Sequence, residues 1–163
     1  MQQQAARTKP VGVCEASLLE VLQGEIARNF DAETAEQMGF DIGYRFLTRF
    51  STSGPSPVKR TDLDAFKFVC KEVWIDLYGK KVDRLQTNHK GTFMCTDLGF
   101  TPLSRLSSAA LLSRPELDKF LSVHKGMMCG ALRNLGVHVT DVQVQLLAGG
   151  LGCCFTFKTL VSA

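Results

Sequence analysis

The sequence predicts an α+β fold, with antiparallel strands and helices stacked on one face. Three observations predict it. Apolar residues recur at helical spacing through residues 15–78 and again through 113–135. Two shorter segments alternate instead with a period of two, each interrupted by a polar or glycine-rich turn. Finally, 163 residues is one domain's length, enough to bury roughly 70% of the unfolded surface without metal or disulfide.

Residues 1–12 are polar and aperiodic and predict a flexible N-terminal tail, with residues 13–163 as a single domain. From Glu15 the pattern is helical: Leu18, Leu22, Ile26 and Phe30 recur every fourth residue, and Leu19 and Val21 widen the stripe. Asp31 predicts the N-cap of a second helix carrying Ala35, Met38, Ile42 and Phe46 on one face. Gly39 and Gly43 sit one turn apart there. Each costs about 1 kcal/mol of helix propensity, which points to close backbone packing. Ser51 to Arg60 holds two prolines, a glycine and three serines and predicts a loop.

Thr61 predicts the cap of a third helix, with Asp64 three residues on and a face of Leu63, Phe66, Cys70, Val73, Trp74 and Leu77. After Gly79, Val82 to Gln86 and Thr92 to Leu98 flank Asn88-His89-Lys90-Gly91 as a β-hairpin. The stretch onward to Leu112 is mixed. Ser113, Pro115 and Glu116 then open a fourth helix with a capping box and a first-turn proline. Its face holds Phe120, Leu121, Met127, Met128, Ala131, Leu132 and Leu135, and Gly136 ends it. Gly126 and Gly130 again lie one turn apart. A second hairpin closes the chain, from Val137 through Leu147, around Gly149-Gly150, and back from Cys153 to Val161.

Composition excludes several classes. The net charge of +3, from 19 basic and 16 acidic residues, is too small and too scattered for a dedicated nucleic-acid binder. The longest near-apolar run, Leu146 to Phe155, has ten residues and three glycines, about half a membrane span. Glu15 and Glu20 interrupt the first apolar stretch, so it does not read as a signal segment. The six cysteines form no C-x-x-C pair, and a reducing compartment with buried free thiols is the expectation.

The sequence carries few groups arranged for chemistry. His89, His124 and His138 fall in a turn, a helix and a strand start, with no metal-like spacing among them. No nucleophile elbow, phosphate-binding loop, dinucleotide fingerprint or zinc motif occurs, and Gly149-Gly150-Leu151-Gly152 reads as a turn. Cys95 and Cys153 are conceivable nucleophiles but have no basic neighbour in sequence. No catalytic residue, cofactor or metal is expected. The basic pairs Lys59-Arg60 and Lys80-Lys81 read as solvated loop ends that would touch an anionic membrane only if the fold gathered them on one face. The first two helices are more informative. Beyond their main stripes they carry Leu19, Val21, Phe40, Tyr44 and Leu47, so each is apolar on more than one side. Such a helix is buried on more than one side, within the domain or by a partner.

Four segments carry a family resemblance: Met38-Gly39-Phe40-Asp41-Ile42-Gly43, Phe66 through Trp74, Gln86-Thr87-Asn88-His89-Lys90-Gly91-Thr92, and Gly130 through Gly136. In order and spacing, over roughly residues 15–161, the chain resembles the small core subunits of TRAPP, the transport protein particle, and within them the subunit-six branch. The resemblance implies a four-stranded antiparallel sheet covered by helices on one side. It implies a heterodimer with the paralogous palmitoylated-branch subunit, built by the first two helices of each. Leu18, Leu19, Leu22, Ile26, Met38, Ile42 and Phe46 are the partner-binding candidates. It further implies a place among other TRAPP subunits in an assembly that exchanges guanine nucleotide on a Rab GTPase. The expected setting is cytoplasmic, peripheral to ER and Golgi membranes. The palmitoylated branch has a cysteine just before its third helix; Lys59-Arg60-Thr61-Asp62 stands here, so no acyl anchor is expected and Cys70 is assigned to the core. The alternative is a hydrophobic-ligand module of the same general fold, with Met127, Met128 and Phe157 lining its pocket.

Overall fold

A computed structural model describes residues 13–53, 61–109 and 113–160; the tail expectation for residues 1–12 lies outside them. Two helices come first, α1 (Val13–Asn29) and α2 (Ala32–Ser53), separated at Asp31, whose carboxylate accepts the Thr34 amide at 2.8 Å. α2 runs three residues into the stretch expected as loop, and the rest of that loop, residues 54–60, lies outside the described residues.

The expected third helix is three pieces. α3 (Asp62–Phe68) starts at Thr61, whose hydroxyl accepts the Asp64 amide at 3.1 Å. A π-helical turn (Val69–Val73) follows, and then α4 (Trp74–Tyr78), which ends at Gly79 in the left-handed conformation. The wide turn releases the Cys70 carbonyl, which accepts the Val82 amide at 3.0 Å and pins the chain entering the sheet.

β1 (Arg84–Thr87) and β2 (Thr92–Asp97) form the first hairpin. Its turn takes left-handed dihedrals at His89 and Gly91, and the Asn88 carboxamide oxygen accepts the amides of Lys90 and Thr92. The mixed stretch that follows contains a helix absent from the expectation, α5 (Thr101–Ala109). α6 (Arg114–Asn134) opens with the expected capping box, Ser113 and Glu116 bonding each other's backbone amides. β3 (Val139–Leu146) and β4 (Cys153–Thr159) complete the sheet, with a bulge between Val139 and Asp141.

The strand order is β1-β2-β4-β3 and every pairing is antiparallel. Phe93, Cys95, Asp97, Phe155 and Phe157 point into the core, whereas Met94 and Lys158 on the alternate positions face solvent. Helices therefore cover one face, as expected. Phe66 stacks on Phe93 with ring centroids 4.0 Å apart and meets Phe157 edge-on; Trp74 meets Phe155 edge-on. α6 contacts β3 on one side and both α1 and α2 on the other, so the first two helices form the outer layer.

Candidate functional site

The outer layer is set by how closely α2 approaches α6. Gly39 and Gly43 rest on the carbonyls of Val123 and Met127, and Gly126 and Gly130 rest on those of Glu36 and Phe40. A Cβ at any of the four would overlap those oxygens, so the crossing needs glycine at all four positions. Lys125 Nζ meets Glu36 Oε2 at 3.3 Å beside it, and Asn134 donates to the Tyr44 carbonyl at 2.9 Å.

This packing rotates the buried stripe of α2 away from the one expected. The core-facing line is Ala35, Gly39, Gly43 and Leu47; Met38, Ile42 and Phe46 flank it half-buried. Glycine carries no hydrophobic signal, which is why the sequence pattern pointed one position aside.

α1 departs further. Among its described side chains, Gln23, Gly24, Ile26 and Ala27 are buried, and the Gln23 amide donates to Met127 Sδ at 3.3 Å. Leu18, Val21 and Leu22 share the opposite face and are 70%, 62% and 47% exposed. The more apolar face of α1 thus points outward. Of the seven partner-binding candidates, Leu18 and Leu22 are exposed, and Leu19, Met38, Ile42 and Phe46 are half-buried against the core. Ile26 is 5% exposed in the isolated chain and packs in its core. Val21, Phe30 and Tyr44, large, exposed and off the α2 stripe or beyond it, belong to the outer surface that the seven left out.

The remaining polar groups of the interior are structural. Asp97, fully buried, accepts from Trp74 Nε1 at 2.8 Å, Lys80 Nζ at 2.6 Å and the Gly99 amide at 3.1 Å. Lys80 also bonds Asp83, whose carboxyl is held below its ordinary range by the Leu98 amide and then by this Lys80 bond. Lys80 is therefore engaged in the fold rather than a solvated loop end; Lys59 and Arg60 lie outside the described residues. His124 is buried among Phe100, Phe120 and Tyr78, whose hydroxyl lies 2.8 Å from its Nδ1. Desolvation brings its pKa down to about 3, so the ring is neutral at pH 7. Burial pushes the Cys153 thiol well up, and contact with Cys70 together with burial does the same to Cys95, which suppresses the thiolate at both conceivable nucleophiles. Met127, Met128 and Phe157 are core residues packed against their neighbours. Among the described residues no three metal-ligating side chains converge, and no helix is long and apolar enough to cross a membrane.

A four-stranded sheet with one helical face, a glycine-sealed helix crossing and an outer helix that exposes large apolar side chains define a small α+β domain. Comparison with known proteins gives it a family. The model for the transport protein particle (TRAPP) component family matches residues 11–157, and the chain belongs to that family. It is 36% identical over 102 residues to trafficking protein particle complex subunit 6b of Danio rerio, covering 63% of each chain. It is 31% identical over 115 residues to subunit 6B of Homo sapiens, covering 71% of each. The match to the zebrafish protein thus spans less than two thirds of that relative's length. Its fold is also that of a crystal structure of subunit 3 from Naegleria fowleri covalently bound to palmitic acid, with TM-score 0.69 and 16% identity, covering 90% of this chain and 96% of that one.

Proposed function

We propose that this chain is a non-catalytic scaffold subunit of a TRAPP-like vesicle-tethering complex. It pairs with a paralogous small subunit of the palmitoylated branch through the outward face of α1 and the half-exposed flank of α2. The observation that carries this reading is the outward face of α1: two leucines and a valine face out, while Gln23, Gly24, Ile26 and Ala27 face in. Water contact with large apolar side chains at adjacent helical positions is unfavourable by about 25 cal/mol per Å², and a partner surface removes it. Family membership supports assembly with other TRAPP subunits. Through them the complex would act as an exchange factor on a Rab GTPase in ER-to-Golgi and Golgi transport, in the cytoplasm and peripheral to the membrane. In that role this chain contributes shape and contacts, with no reacting group and no acyl anchor of its own.

Light scattering after size exclusion tests the pairing, using this chain alone and mixed with a palmitoylated-branch subunit. The expected result is a stable one-to-one heterodimer. Two species that elute separately at micromolar concentration would contradict it.

A further inference from the structure

Cys70 and Cys95 stand apart from the other thiols of the core. Their Sγ atoms lie 3.2 Å apart, inside the contact distance of two sulfur atoms, and both residues are buried. Both backbones are held. Cys95 is the middle of β2, paired on one side with Leu85 and on the other with Phe155. Cys70 sits in the π-helical turn, and its carbonyl is fixed by the Val82 amide. A disulfide needs about 2.05 Å between sulfurs, so closing the bond asks each sulfur to move roughly 0.6 Å.

We propose that Cys70 and Cys95 form an oxidant-responsive latch, joined as a disulfide by a small peroxide and reopened by thiols. The Cys70 sulfur attacks one oxygen of hydrogen peroxide. The O–O bond breaks, hydroxide leaves with the thiol proton as water, and Cys70 becomes a sulfenic acid. The Cys95 sulfur then attacks the Cys70 sulfur. The S–O bond breaks, and the second hydroxide leaves as water with the Cys95 proton. Two thiols lose two electrons in total, and one peroxide becomes two waters. Hydrogen peroxide is little larger than water, which suits an enclosed site. Because the Cys70 contact and then burial hold the Cys95 thiol high, the latch closes slowly and answers sustained oxidant rather than a brief pulse. The bond spans 25 residues of chain and ties the π-helical turn to the second strand, directly stiffening the layer on which α6 and the outer helices rest.

The test treats the full chain with hydrogen peroxide, blocks remaining thiols with N-ethylmaleimide in denaturant, and maps peptides without reduction. Before alkylation the oxidised chain should be lighter by about two mass units, and after it four of the six cysteines should carry N-ethylmaleimide with the Cys70 and Cys95 peptides linked. Its thermal midpoint rises on the order of 5 °C and returns to the starting value with dithiothreitol. Cys95→Ala should show no rise, and denaturing the peroxide-treated variant in the presence of dimedone should trap the Cys70 sulfenic acid. Retention of both thiols, a link between other cysteines, or an equal rise in Cys95→Ala would each overturn the proposal.

Discussion

Gly43 of α2 lies so close to Met127 of α6 that its missing Cβ would overlap the Met127 carbonyl oxygen. That relationship repeats at Gly39 with Val123, and from the other helix at Gly126 and Gly130. The four glycines let two backbones meet where side chains would hold them apart, and they fix where the outer helices point.

Gly43→Ala is therefore expected to destabilise the chain by about 2 kcal/mol, because the overlap outweighs the gain in helix propensity. Gly24→Ala should do the reverse. Among the described residues a Cβ there meets the Arg28 guanidinium alone, at 3.8 Å, so the propensity gain of about 0.5–1 kcal/mol remains. Urea unfolding of both variants beside the parent chain measures the contrast. A stable Gly43→Ala would mean that the crossing is looser than described.

Asp97 organises the end of β2 through the indole of Trp74 and the ammonium of Lys80. Asp97→Asn keeps the shape but removes the charge and turns an amide toward three donors. The expected cost is about 2–3 kcal/mol, moderated because Lys80 keeps Asp83 as a partner. Trp74 is the single tryptophan, so its fluorescence follows both the unfolding midpoint and the loss of the local contact.

His124 gives the pH dependence a definite sign. Its folded pKa, about 3, lies below the ordinary value of 6.5, so below pH 6.5 the unfolded chain binds a proton that the folded chain refuses. The stability from keeping this ring neutral is complete above pH 6.5 and is lost as pH falls toward 3, by an amount on the order of a few kcal/mol. His124→Phe, placed among Phe100, Phe120 and Tyr78, should flatten that part of the curve relative to the parent, whatever its effect at pH 7. Urea midpoints at pH 7 and pH 4.5 for the two chains provide the comparison, and equal losses would contradict the assignment.

Caps and turns were legible in the sequence because they depend on residues within a few positions of one another. Asp31, Thr61, Ser113 with Glu116, Asn88 and Gly91 all act where their residue types predict. α5 was not legible: Thr101-Pro102 opens it, but its serines favour loops, and Phe100 and Leu103, both buried, are too few to display a period. The π-helical turn has no local signature and is stabilised from outside by the Val82 amide. The candidate surface was half legible. Surplus apolar width on α1 and α2 was visible, but its direction depended on the glycine crossing and on Gln23 filling an interior position. Amphipathic patterning assigns the apolar face inward, and here Leu18 and Leu22 face outward.

The proposed pairing rests on this outward face being a partner surface. The most direct test is titration calorimetry of the palmitoylated-branch subunit into the parent chain and into Leu22→Asp, with the thermal midpoint of each chain measured alone. Leu22 is exposed in the isolated chain, so the midpoint should move little. Burying an unpaired aspartate against the partner should weaken binding by several kcal/mol, a hundredfold or more. Unchanged affinity with an unchanged midpoint would contradict the account and return the outward leucines to the status of bare surface.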